Sequence, residues 1–112
     1  MSSAPGSSSS VAADRPEVVT LCGSVRFAAD HLAVHRRLSL AGLVVLLPAL
    51  PAPGEEPTAE DVGALAALHL RKIDLSDRVH VVNPGGYVGA ATAAEIAYAK
   101  AGGKAVTYEH QG

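Results

Sequence analysis

The sequence predicts a three-layer α/β domain built on a parallel sheet of about four strands flanked by helices. Two observations carry that prediction. Four short apolar runs alternate with three helix-spaced patterns. The runs are rich in β-branched and apolar residues without sustained polar alternation, as suits strands covered on both faces.

The first run is Val18-Val19-Thr20-Leu21-Cys22, ended by Gly23. Phe27, His31, Val34, Leu38 and Ala41 then recur at steps of three and four, predicting a helix over about Ser24 to Ala41 that Gly42 stops. Leu43 to Leu47 is the second run, ended by Pro48. Pro51 to Pro57 reads as a mobile loop able to act as a lid. Thr58-Ala59-Glu60-Asp61 resembles a capping box and opens a helix reaching Leu75. Val62, Leu65, Ala66, His69 and Ile73 make its main stripe. Leu68, Leu70 and Leu75 fall outside it, and this apolar excess predicts a homodimer or higher homo-oligomer. Val79 to Val82 is the third run, Thr92 opens a helix ending at Gly102-Gly103, and Ala105 to Tyr108 is the last run.

This β-α-β-α-β-α-β order implies right-handed crossovers and a Rossmann-like, flavodoxin-like sheet. Ligands of such sheets bind beyond the carboxyl ends of the strands, where the strand order reverses. That rule alone brings Gly23 to Arg26 and Asn83 to Glu95 together.

Composition sets the bounds. Residues 1–15 are rich in Ser, Ala, Gly and Pro and predict a disordered tail, leaving one domain over residues 16–110. The tail has neither a basic start nor an apolar run, so a secretory signal is not expected. Nine Lys+Arg against eleven Asp+Glu give a net charge of −2 with no basic block, which argues against nucleic acid as partner. A single cysteine, Cys22, excludes an internal disulfide and fits a reducing, cytoplasmic setting. No apolar stretch has the length of a membrane span.

Two loops carry the chemistry. Gly23-Ser24-Val25-Arg26 lies where a strand turns into a helix, where free amides and the helix dipole favour an anion. Gly23 permits close approach of a phosphate, Ser24 can donate to it, and Arg26 can pair with it. The alternative is a plain N-cap at Ser24 and a solvated Arg26. The loop is no Walker motif, lacking the Gly-Lys-Ser/Thr ending. Asn83-Pro84-Gly85-Gly86-Tyr87-Val88-Gly89 is long and glycine-rich, and Thr92-Ala93-Ala94-Glu95 follows. Gly86, Gly89 and Thr92 are the ligand-binding candidates here. Glu95 is either the partner of a capping box or a catalytic carboxylate facing the cleft. No set of Cys, His, Asp and Glu has metal-ligand spacing, so neither metal nor other cofactor is expected.

At these residues the chain resembles the nucleoside 2-deoxyribosyltransferase superfamily, which includes nucleotide N-glycosidases acting on nucleoside 5′-monophosphates. The resemblance runs from Val18 to Tyr108. It rests on Cys22-Gly23-Ser24-Val25-Arg26-Phe27, on Ser76-Asp77, and on Glu95-Ile96-Ala97-Tyr98-Ala99-Lys100-Ala101-Gly102-Gly103-Lys104-Ala105-Val106, with Ala97 where glycine is usual. It implies Glu95 as nucleophile at the anomeric carbon, Gly23, Ser24 and Arg26 around a 5′-phosphate, and a small-molecule nucleotide or nucleoside as substrate. Two positions depart from the family. His69 stands where an aspartate is usual, and Gly89 where Asp or Ser is frequent. His69 either donates a proton near neutral pH or is satisfied at a dimer interface. A catalytically silent nucleotide or nucleotide-sugar sensor is the alternative these departures leave open. Asp77 reads as a structural cap, and His31 and His35 as helix-surface or interface residues. Pro84-Gly85-Gly86 with Thr92 and Glu95 is also similar to the loop of cytokinin-activating phosphoribohydrolases, but extra residues separate its glycines from the threonine.

Overall fold

The computed structural model describes residues 15–111. The expected tail lies outside them, except for Arg15. The elements are β1 (Val18–Cys22), α1 (Ala28–Leu40), β2 (Val44–Leu46), α2 (Ala59–Leu75), β3 (Arg78–Val81), α3 (Ala90–Ala101) and β4 (Ala105–Tyr108). Single 3-10 turns at Val25–Phe27 and Pro84–Gly86 lead into α1 and α3. All four strands run parallel in the order β2-β1-β3-β4. This is the predicted three-layer α/β fold.

The two layers of helix explain the unbroken apolar runs. On one face, α1 packs Val34 and Leu38 against Val19, Leu21 and Val45, with Val82 beside them. On the other, α2 and α3 pack Ile73, Ile96 and Ala99 against Cys22, Val79 and Val81. The inner strands β1 and β3 therefore bury side chains in both directions. Leu70 also joins this second core, so it is not part of a surplus apolar face. Val62, Leu65, Leu68 and Leu75 do remain exposed.

Helix ends follow local chemistry, with two departures from expectation. Thr58 caps α2 as predicted, its hydroxyl accepting from the Asp61 amide at 3.0 Å. However, α1 begins at Ala28, because Phe27 (φ −96°, ψ 43°) breaks the helical path after the turn that opens at Ser24. Likewise α3 begins at Ala90 with Gly89 as N-cap, ahead of Thr92. His31, expected on a surface, is fully buried beneath β1.

Asp77 has the structural role expected of it. Its carboxylate accepts from the Val18 amide at 2.8 Å and from Arg15 at 2.9 Å, tying the start of β1 to the start of β3. Beside it the Thr20 and Ser76 hydroxyls bond to each other, and Lys104 donates to the Ser76 carbonyl at 2.7 Å.

The face of β3 and β4 on the α1 side is polar. Arg78 bonds Glu17 at 3.0 Å and Thr107 at 2.8 Å. His80 bridges Thr107 at 2.7 Å and Glu109 at 2.8 Å. Arg37 from α1 holds Glu109 with two bonds of 2.7 Å. Among the described residues no helix is long and apolar enough to cross a membrane.

Arg37 and His80 hold the Glu109 carboxyl down at about 2. A carboxyl depressed in the folded state stabilises fully above its unfolded value of about 4.3, and that contribution fades as pH falls towards the folded value. Urea denaturation of wild type and Glu109→Gln should therefore differ most at neutral pH, and the difference should shrink as pH is lowered below about 4. A difference that stays constant down to acid pH contradicts the ion-pair origin.

Candidate active site

Strand order reverses between β1 and β3, so the loops after these strands diverge and leave a crevice. A cleft of about 490 Å³ opens there, within the usual size of small-molecule sites. Its walls come from the turn at Gly23 to Val25, from Pro48, Pro51 and Pro57, from Val62, Leu65 and Ala66 of α2, and from Tyr87, Gly89 and Thr92. His69 and Glu95 complete its lining.

Gly23 is required for a reason the sequence does not show. A β-carbon there would lie 2.5 Å from the Val82 carbonyl oxygen and 3.2 Å from the His31 ring. Glycine thus permits β1 to pass β3 closely, and the expected approach of a phosphate is a separate matter. His31 sits directly beneath, its Nε2 3.2 Å from the Ser24 carbonyl oxygen. It props the turn from below, and burial lowers its pKa. The Ser24 hydroxyl accepts from the Arg26 amide at 3.3 Å, so the N-cap reading of Ser24 holds while the residue also lines the cleft.

Arg26 and Gly86 do not line the cleft. The Arg26 guanidinium stacks 4.7 Å from the Phe27 ring and 4.4 Å from the Tyr87 ring. These cation–π contacts join the two loops whose neighbouring residues line the cleft. Gly85 and Gly86 take positive φ (66° and 83°) inside the turn after β3, where glycine is needed. Gly89 has an ordinary φ, but a β-carbon there would lie 2.9 Å from the Tyr87 hydroxyl oxygen. A phenol therefore fills the space that a side chain at position 89 would take.

Because α3 starts at Ala90, the capping-box reading of Thr92 and Glu95 fails: neither side chain caps the helix. Thr92 is buried on the cleft wall. Glu95, in the second turn, points its carboxylate to the cleft floor, where it is 21 % exposed. One oxygen lies 3.8 Å from His69 Nε2, and the same nitrogen lies 3.5 Å from Cys22 Sγ. No lysine or arginine among the described residues pairs with Glu95.

Burial governs the charges here. It raises the Glu95 carboxyl, against a smaller opposing effect of a hydrogen bond from the Cys22 thiol. It also raises the Cys22 thiol strongly, assisted by the Glu95 charge. His69 is lowered to about 4, first by burial and then by the nearby Lys72 and His31. Burial thus favours its neutral form at pH 7. It is also buried within the monomer, so no dimer interface is needed to cover it. The floor therefore sets a carboxyl group beside an imidazole and a thiol, with burial acting against the charged form of each.

Of the sequence candidates, the fold gathers Gly23, Ser24, His69, Gly89, Thr92 and Glu95 around one cleft. Sequence reasoning gave no role to Cys22 or Tyr87, and it placed His31 on a surface. The separation of Cys22 from His69 by 47 residues hides their contact from any spacing rule. The one available signal was the run of apolar residues on the first half of α2, which faces the cleft. No protein-family model matches this chain, and no curated protein matches it.

Two measurements check this geometry. Gly23→Ala should destabilise the fold by about 1–3 kcal/mol, as overpacking against backbone does, read from the urea midpoint; an unchanged midpoint means the loops part freely. In an NMR titration, His69 should stay neutral down to about pH 5 and then titrate near 4. Because the unfolded imidazole binds protons near 6.5, this histidine costs stability progressively as pH falls from there through 4. Titration of His69 near 6.5 contradicts the dry floor.

Proposed function

We propose that this protein cleaves or transfers the N-glycosidic bond of a nucleoside 5′-monophosphate or nucleoside, with Glu95 as nucleophile. The observation that carries this reading is the Glu95 carboxylate itself. It is half-buried, free of any cationic partner among the described residues, and shares one cleft with the strand-to-helix turn at Gly23-Ser24.

The chemistry suits those surroundings. Breaking a glycosidic C–N bond builds positive charge on the sugar ring. A carboxylate in a dry site stabilises that charge more strongly than one in water. A Glu95 oxygen attacks the anomeric carbon as the C–N pair leaves with the base, which takes up a proton. Water then hydrolyses the glycosyl ester, or a second base receives the sugar. Neutral His69 leaves the negative charge of Glu95 uncancelled. A cation there would weaken it as a nucleophile.

The other walls fit the parts of a nucleotide. The Ser24-Val25 turn offers backbone amides to a 5′-phosphate, and Arg26, outside the cleft lining and stacked on Phe27 and Tyr87, has no ion pair among the described residues. Pro48, Pro51, Val62 and Leu65 provide an apolar wall for a base. A lid role for the Pro51 to Pro57 segment belongs to this proposal. So does a second copy covering Leu68 and Leu75, which lie outside the cleft lining.

Replacement of an acidic position by His69 favours one other reading, a nucleotide-binding module without turnover. One experiment separates the two. Incubation with a panel of nucleoside monophosphates, followed by chromatography, should release free base. Glu95→Ala should reduce the rate at least about a hundredfold while nucleotide still raises the melting temperature. Stabilisation by nucleotide with no base released supports the module. An unchanged rate in Glu95→Ala removes Glu95 from the mechanism.

A further inference from the structure

We propose that Cys22, His69 and Glu95 form a site for a thiophilic divalent cation, Zn²⁺ foremost, at the floor of the cleft. The three side chains come from the end of β1, the last third of α2 and the second turn of α3. Each offers one ligand atom, and these atoms lie within 4.8 Å of one another.

Two of their spacings come close to the edges of a tetrahedral shell. With bonds of about 2.3 Å to sulfur and about 2.0–2.2 Å to nitrogen and oxygen, tetrahedral edges come to about 3.3–3.7 Å. The Cys22 to His69 distance is 3.5 Å and the His69 to Glu95 distance is 3.8 Å. The third edge, from Cys22 to Glu95, is at most 4.8 Å. Three protein ligands leave one position open, the arrangement of zinc sites that exchange a ligand. Because His69 and Glu95 line the cleft and Cys22 lies behind them, that position faces the cleft.

The orientation of the ring points the same way. His69 is only 5 % exposed, and its Nε2 is turned to both Cys22 Sγ and a Glu95 oxygen. Coordination through Nε2 leaves the ring proton on Nδ1.

Charge also balances. On binding, the Cys22 thiol releases its proton to solvent and the sulfur lone pair goes to the ion. The Glu95 carboxylate and the neutral His69 supply the other two pairs. One thiolate and one carboxylate cancel the two positive charges, so no net charge is buried. Lys72, the nearest cation to His69, is held by the Leu47 carbonyl at 2.7 Å.

The site stands apart from the glycosidic reading, but its effect on turnover rests on that reading. An ion that takes the Glu95 carboxylate removes the nucleophile, so metal binding switches the cleft off. Cobalt titration of the full chain, without substrate, tests the site directly. Co²⁺ should bind one per chain, give the near-ultraviolet band of a cobalt thiolate, and be displaced by Zn²⁺. Cys22→Ser should lose the band. Glu95→Gln, a change of nearly equal size, should keep the band and weaken binding by at least about tenfold. His110→Gln, at the exposed carboxyl-terminal end, should bind as wild type. Absence of saturable one-to-one binding overturns the proposal, as does a band that survives Cys22→Ser. Cobalt binding with no base released in any assay leaves the metal site standing and the glycosidase reading fallen. Base release without cobalt binding does the reverse. Where both hold, Zn²⁺ should inhibit and a chelator restore the rate.

Discussion

The close passage of β1 beside the end of β3 is the constraint on which the rest depends. The Val82 amide donates to the Cys22 carbonyl at 2.8 Å, extending the ladder one step past β3. At the next residue the chain must turn away with a carbonyl oxygen pressed against it, and only a glycine leaves room. This contact sets the direction in which the Ser24 turn leaves the sheet. It also fixes Cys22 at the boundary between sheet and cleft and brings the loop after β3 within reach of α1. Loosening it moves both halves of the site together.

Around that contact the protein concentrates polar groups that burial disfavours. A carboxyl, a thiol and an imidazole meet at the inner end of the cleft, each pushed towards its uncharged form. Two buried histidines, His31 and His69, each leave a ring nitrogen without a partner. Elsewhere the chain satisfies its buried polar groups with care, as at Thr20 and Ser76 or at Asn83, which clasps the backbone of His110 in both directions. Of the two histidines, His69 lines the cleft and His31 lies beneath the Gly23 turn. All three floor residues stand on regular elements, so their geometry does not depend on loop order.

Much of this was legible in the sequence because the fold has a strong periodic signature. Val18 to Cys22 and Ala105 to Tyr108 read as strands because they are short, apolar and bounded, and the capping of α2 followed from Thr58 alone. The α/β order then located the cleft without reference to any side chain. Other features were hidden for physical reasons. Thr92 and Glu95 fit a capping box by spacing, but the helix begins earlier because Gly89 can take the cap position without a side chain. His31 fits a helix surface by residue type, but it packs under a glycine that sits in another element. The floor of the cleft joins residues from three elements, and spacing rules see contacts only within one. Val62, Leu65 and Ala66 were legible as part of the main stripe of α2, and only the coordinates show that they face the cleft while Ile73 enters the core.

The polar face of β3 and β4 has a consequence for how the strands find their partners. Arg78 and His80 alternate with Val79 and Val81 along one short strand. A slip of β3 by a single residue against β1 would carry a guanidinium and an imidazole under α2 and α3, and would turn both valines towards the polar side chains of Glu17, Thr107 and Glu109. The bonds to Glu17, Thr107 and Glu109 would be lost in the same step. The strand thus has one acceptable alignment, and a surface that looks merely decorative polices the assembly of the sheet.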